Sequence, residues 1–162
     1  PRGSGRNRSA DYGSPRGPRR QGLNMTIEVG DVEIRSVTPE DGPALLEFIE
    51  PFVADGKLIP RTTDELPELF RHGFAAVHAG RIVGFAALEI YSRKLGEIRS
   101  LAVNEEFRRH GIGGQLVEMC LKRAREHSLL EVMAITSSDR FFIEHGFDFT
   151  LPGEKKALFI QP

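Results

Sequence analysis

Residues 107–116, FRRHGIGGQL, set Arg108 and Arg109 directly ahead of Gly111, Gly113 and Gly114. An apolar run ending in Leu101, Ala102 and Val103 precedes them, and a helix-period run follows. Strand, glycine loop and helix in that order suit an anion. The first N–H groups of a helix lack partners, the helix dipole favours negative charge there, and glycine lets a phosphate approach the main chain without a Cβ in the way. The two arginines add fixed positive charge. Glycines at a helix start also serve simple tight turns, and GIGGQL neither meets the GxGxxG dinucleotide fingerprint nor carries the P-loop lysine.

Other chemistry-bearing side chains have plainer readings. Cys120 is the single cysteine, which leaves no internal disulfide and no cysteine-rich metal site, and it falls on the apolar side of a helix-period run as a buried, inert thiol. His72, His78, His110, His127 and His145 show no metal-ligand spacing.

Alternating strand and helix signals position these groups. Residues 32–38 alternate as a half-buried strand, and Thr38, Pro39 and early acids then start a helix with a break expected at Pro51. A short second helix follows in TTDELPELFRHG. FAAVHAGRIVGFAALEIYS reads as a hairpin turning at Gly80, GEIRSLAVN as another strand, and residues 113–127 as a long amphipathic helix. LEVMAITS predicts a buried strand, SDRFFIEHGF a short helix with Phe141, Phe142, Phe147 and Phe149 in the core, and KKALFIQ a last strand. The order is βααβββαβαβ, an α/β sandwich of mixed sheet and flanking helices.

The chain of 162 residues, 40% hydrophobic with net charge −1, suits one domain with a real core. Residues 1–24 are rich in arginine, glycine and proline with Asp11 as their only acid, and are expected to form a disordered tail ahead of a single domain over residues 25–162. Nucleic-acid binding by so short and unpatterned a tail is the less favoured reading. No apolar run approaches the ~20 residues of a membrane span, and no apolar stretch of a signal peptide follows the N-terminal arginines, so a cytoplasmic protein without membrane partners is expected.

With these elements in place, RRHGIG after the LAV strand resembles the R/Q-x-x-G-x-G/A motif of the GNAT superfamily of acetyl-CoA-dependent N-acetyltransferases, and the element order resembles the GNAT fold, a mixed, mostly antiparallel sheet flanked by helices. The resemblance implies that main-chain N–H groups of Arg108, Arg109, His110, Gly111, Ile112, Gly113 and Gly114 meet the pyrophosphate of coenzyme A, and that Leu101, Ala102 and Val103 hold the pantetheine arm. Glu97, four residues before Leu101, stands where histone-type members keep a catalytic glutamate; as a solvated strand carboxylate or an Arg99 partner it would have no such role. Phe142 occupies the position of a tyrosine that protonates the leaving thiolate in many members, and would face the thioester. Ser137 and Ser138 are the nearby candidates for that missing donor.

FIEPFVADGKLIPRTTDEL, EIRSLAV and FFIEHGF together resemble the acetyltransferase module of bacterial N-acetylglutamate synthases. That resemblance implies L-glutamate as acceptor, arginine biosynthesis as context and Arg61 as the carboxylate ligand, a bidentate role that suits a planar guanidinium. Lys57 and Arg99 are further carboxylate candidates. No arginine follows Arg140, where longer relatives carry one that also touches glutamate, so Lys155 or Lys156 substitutes, the pocket is rebuilt, or the acceptor differs. Another amino acid, a polyamine or a protein amine is the alternative acceptor, and a non-catalytic acetyl-CoA-binding module the alternative class. A homodimer fits family habit.

Overall fold

The computed structural model describes residues 26–58, 60, 64–149 and 160. Residues 1–24, Arg61 and, apart from Ile160, the predicted closing strand KKALFIQ lie outside the described residues. Six strands lie in one sheet in chain order: β1 (Thr26–Val29), β2 (Val32–Ser36), β3 (Gly73–His78), β4 (Arg81–Ile90), β5 (Leu95–Val103) and β6 (Glu131–Met133). Neighbours are antiparallel from β1 to β5, and β5 and β6 are parallel. Helices α1 (Gly42–Ala54) and α2 (Leu66–Arg71) fill the β2–β3 connection, α3 (Ile112–Glu126) makes the crossover that a parallel pair requires, and α4 (Asp139–Glu144) follows β6.

Local chemistry explains most of these boundaries. The β3–β4 hairpin turns through Ala79 (φ 47°) and Gly80 (φ 77°), both left-handed, which matches the right-handed twist of the strands. At the entrance to α1, Pro39–Asp41 form one 3₁₀ turn. The Asp41 carboxylate accepts the Thr38 N–H at 2.8 Å and pairs with Arg35 at 2.7 Å. The hydrogen bond from Arg35 holds the Asp41 carboxyl down at about 2.

Three expectations change in the folded chain. A strand over Thr26–Val29 precedes the first predicted one; four residues show too little alternation to announce a strand, and pairing with β2 through the Gly30–Asp31 turn makes it one. α1 continues through Pro51 to Ala54, because the proline stands on the exposed side of the last turn while Leu45, Phe48, Ile49 and Phe52 anchor the buried side. The strand predicted over LEVMAITS pairs only over Glu131–Met133, and Ile135 is exposed.

The sheet separates two cores. On one face Ala86, Leu88 and Ile98 pack with Ile112, Leu116, Val117 and Cys120 of α3. On the other Phe85, Ala87 and Ala102 pack with Leu45, Phe48, Ile49 and Phe52 of α1 and Leu69 of α2. Ile98 and Ala102 face opposite cores although four residues apart on one strand, which strict alternation forbids. A bulge resolves this: Phe85 pairs with Ala102 but Ala87 with Arg99, and Ser100 takes φ 58°. β5 therefore changes phase at Ser100. Glu97 and Arg99 look toward the α1 and α2 face, whereas Leu101 and Val103 belong to the α3 side.

Candidate active site

The loop between β5 and α3 has the geometry that suits an anion cradle: it turns through left-handed residues into the start of a long helix. Arg109 (φ 65°) and Gly111 (φ 80°) are left-handed, and Gly111 forms the N-cap of the 15-residue α3. The first helical hydrogen bond runs from the Gln115 N–H to the Gly111 carbonyl at 3.0 Å, so the N–H groups of Ile112, Gly113 and Gly114 precede it without helical partners. The Ile112 side chain is fully buried and anchors the helix start, leaving its N–H as the group on offer. Arg108 donates from Nε to the Val103 carbonyl at 3.1 Å, tying the loop to the strand end, while Arg109 and His110 are exposed.

The three glycines do different work. A Cβ on Gly111 would meet nothing within 4 Å, so its requirement is conformational. A Cβ on Gly113 would lie 3.4 Å from Phe141 Cζ, and one on Gly114 would stand 2.3 Å from His145 Nε2. Both positions thus face α4 or the turn after it, and toward an anion Gly113 and Gly114 offer N–H groups alone. Close helix packing is a requirement that the motif spacing did not reveal.

β5 leads from this loop along a sheet edge to the point where β6 parts from it. It is bridged to β6 only at Leu95, Gly96 and Glu97, so among the described residues the edge from Ile98 to Val103 has a strand neighbour on the β4 side alone. Glu97, the last doubly bridged residue, occupies the vertex where the strands part, about 20 Å of extended chain from Val103. It is only 7% exposed, between Glu89 on β4 and Met133 on β6 in register. The solvated-carboxylate reading of Glu97 therefore fails. So does pairing with Arg99, whose guanidinium is ion-paired with Glu89 instead. Glu97 accepts a short hydrogen bond from the Tyr91 hydroxyl, a residue that sequence reasoning passed over because nothing local links positions 91 and 97.

The remaining candidates are dispersed. Arg99 is neutralised by Glu89, and exposed Lys57 pairs with Asp55 at 2.8 Å beyond the end of α1. Ser137 is exposed in the segment between β6 and α4, and Ser138 stands at the N-cap of α4 without a side-chain capping bond. Phe142 is buried, with its ring edge-on to Phe141 and Phe147, so core packing accounts for it; Phe149, by contrast, is 65% exposed. Cys120 is fully buried and its thiol is pushed up by that burial, as expected of an inert core residue. No cluster of three or more metal-ligating side chains occurs among the described residues. No described helix is long and apolar enough to cross a membrane.

The same architecture recurs in known proteins. Residues 44–147 match the family model described as the acetyltransferase (GNAT) family. An uncharacterized N-acetyltransferase of Chlorobaculum tepidum is 35% identical over 121 residues, covering 75% of this chain and 78% of that one. An amino-acid acetyltransferase of Mycobacterium tuberculosis is 33% identical over 118 residues, covering 70% of this chain and 67% of its own. Among solved structures, N-acetylglutamate synthase from Neisseria gonorrhoeae, complexed with coenzyme A and N-acetyl-glutamate, superposes with a TM-score of 0.68 at 28% identity. That match covers 76% of this chain but only 30% of the Neisseria chain. Cradle, parted strands and family model agree: the chain belongs to the GNAT family of acetyltransferases, with acetyl-CoA as co-substrate.

Proposed function

We propose that this protein transfers the acetyl group of acetyl-CoA to the α-amine of an amino acid, with L-glutamate as the favoured acceptor and N-acetylglutamate for arginine biosynthesis as the product. The observation that carries the reading is the position of Glu97: a buried carboxylate where β6 parts from β5, on the strand that ends at the glycine loop. An α-amine is mostly protonated at neutral pH and must lose a proton before it attacks a thioester. In this reading Glu97 receives that proton, directly or through a water. Main-chain N–H groups of Leu101 to Val103 are the candidate donors to the developing oxyanion. Arg61, in the α1–α2 connection, takes the substrate carboxylate. The names of the Mycobacterium and Neisseria relatives support an amino acid, and glutamate in particular.

One observation favours a second reading. Glu89 and Glu97 lie directly opposite each other with Arg99 as their only cation among the described residues, a balance that suits a polyamine or lysine side chain. Release of coenzyme A thiol from acetyl-CoA, measured with L-glutamate, L-glutamine, spermidine and a lysine peptide, separates the two. Glutamate is expected to be turned over fastest, with glutamine well behind because a neutral amide cannot complete the arginine pair. Faster turnover of spermidine or the peptide replaces the amino-acid reading with the second one, and no turnover with any amine leaves a binding module.

A further inference from the structure

Tyr91 is the first residue after β4, and the main chain fixes where its side chain begins: the Tyr91 and Ser92 N–H groups both donate to the Leu95 carbonyl, at 3.1 and 3.2 Å. From there the phenol reaches the Glu97 carboxylate while half of the residue stays in solvent. The charged groups facing Glu97 among the described residues are Glu89 on β4 and Arg99 on β5, and Arg99 donates to Glu89. Among the described residues Glu97 thus carries no guanidinium or ammonium of its own; its partner there is a neutral O–H.

We propose that Tyr91 is a positioning residue for acetyl transfer: its O–H holds the Glu97 carboxylate in one orientation where β5 and β6 part, in place of a cation. The proposal rests on the reading of Glu97 as the proton acceptor. A cationic partner would orient a carboxylate equally well but would draw down its basicity, which a base for an ammonium group needs. A phenol orients it with one directional hydrogen bond and no net charge. Burial, then the bond to Glu97 and the neighbouring carboxylates, push the Tyr91 hydroxyl up to about 12, so it stays a donor throughout the working range. With Tyr91 standing at the rim, the carboxylate is also shielded from bulk water, which fits its low exposure.

The test compares Tyr91→Phe, Glu97→Gln, the double variant and the parent protein in steady-state kinetics with acetyl-CoA and L-glutamate, or the amine of the panel that is turned over fastest. Glu97→Gln is expected to lose ~10²-fold in kcat. Tyr91→Phe is expected to lose roughly tenfold in kcat, to leave the KM for acetyl-CoA and the thermal midpoint unchanged, and to cost little further once Glu97 is already glutamine. A kcat in Tyr91→Phe equal to the parent's, or a loss that persists in full in the Glu97→Gln background, overturns the positioning role and leaves the base in place. A Glu97→Gln protein that keeps its kcat removes the base, and the proposal with it.

Discussion

The imidazole of His145 fills the space that a side chain on Gly114 would need. Its Nε2 stands 2.3 Å from an ideal Cβ there, and the ring is held by an Nδ1 contact to the Phe141 carbonyl at 2.7 Å and by a tilted contact with the Phe141 ring at 4.4 Å between centroids. The start of α3 and the end of α4 are thereby locked together, and with them one wall of the cradle. Gly114→Ala is expected to destabilise the fold by about 1–3 kcal/mol, the usual cost of overpacking, despite the better helix propensity of alanine. Chemical denaturation checks it. His145→Ala in the same chain should recover most of the loss, since the clash has a single source.

Gly111 tests the cradle itself. Its Cβ would point into open space, so Gly111→Val acts through the left-handed backbone, costing about 1–2 kcal/mol and distorting the turn that aims the Ile112–Gly114 N–H groups. Calorimetric titration with acetyl-CoA should show a clear loss of affinity in Gly111→Val and a much smaller one in Gly113→Ala, whose Cβ makes an ordinary contact with Phe141. Equal losses would remove the special part assigned to the left-handed turn at Gly111.

Arg61 decides the acceptor. If it clamps the glutamate carboxylate, Arg61→Ala forfeits a charge-assisted pair worth ~1.5–3 kcal/mol, which raises the KM for glutamate roughly ten- to a hundredfold. The KM for acetyl-CoA should be unaffected, since the cradle lies on a different connection. Unchanged glutamate kinetics in this variant would remove the arginine-biosynthesis reading and leave the acetyltransferase assignment intact.

A pH-dependent stability is expected from the corner where α2, β3 and α3 meet. Arg123, 8% exposed, lies over the Phe74 ring at 5.2 Å, donates to the Arg71 carbonyl at 3.1 Å and contacts His72 Nδ1 at 3.3 Å. Desolvation, then His127, Arg123 and Arg71, hold His72 down at about 4 against an ordinary 6.5. Between these values the unfolded chain binds a proton that the folded chain refuses, so stability falls as pH drops from 6.5 toward 4 and levels off below. Thermal midpoints across pH 4–7 should show this decline, and His72→Leu should flatten it. Asp41, held at about 2 against 3.8, stabilises the fold throughout that window and adds a further decline only below it, as protonation ends its pairing with Arg35.

Contiguous features were legible in the residues themselves. The strand, arginines, glycines and helix of residues 101–126 follow one another directly, so local patterning was enough to place the glycine loop at the start of α3, and the Ala79–Gly80 turn and apolar runs on either side announced the β3–β4 hairpin. Features made by pairing were not. The phase change at Ser100, which sends Glu97 and Leu101 to opposite faces, depends on which β4 residue meets which β5 residue. The choice of Glu89 rather than Glu97 by Arg99, the hydroxyl of Tyr91 on Glu97, and the fit of His145 over Gly114 likewise join residues that no helical or strand period links. Sequence periodicity reports which side of an element is apolar; register, bulges and helix packing decide which side chains meet across elements, and only the folded chain sets them.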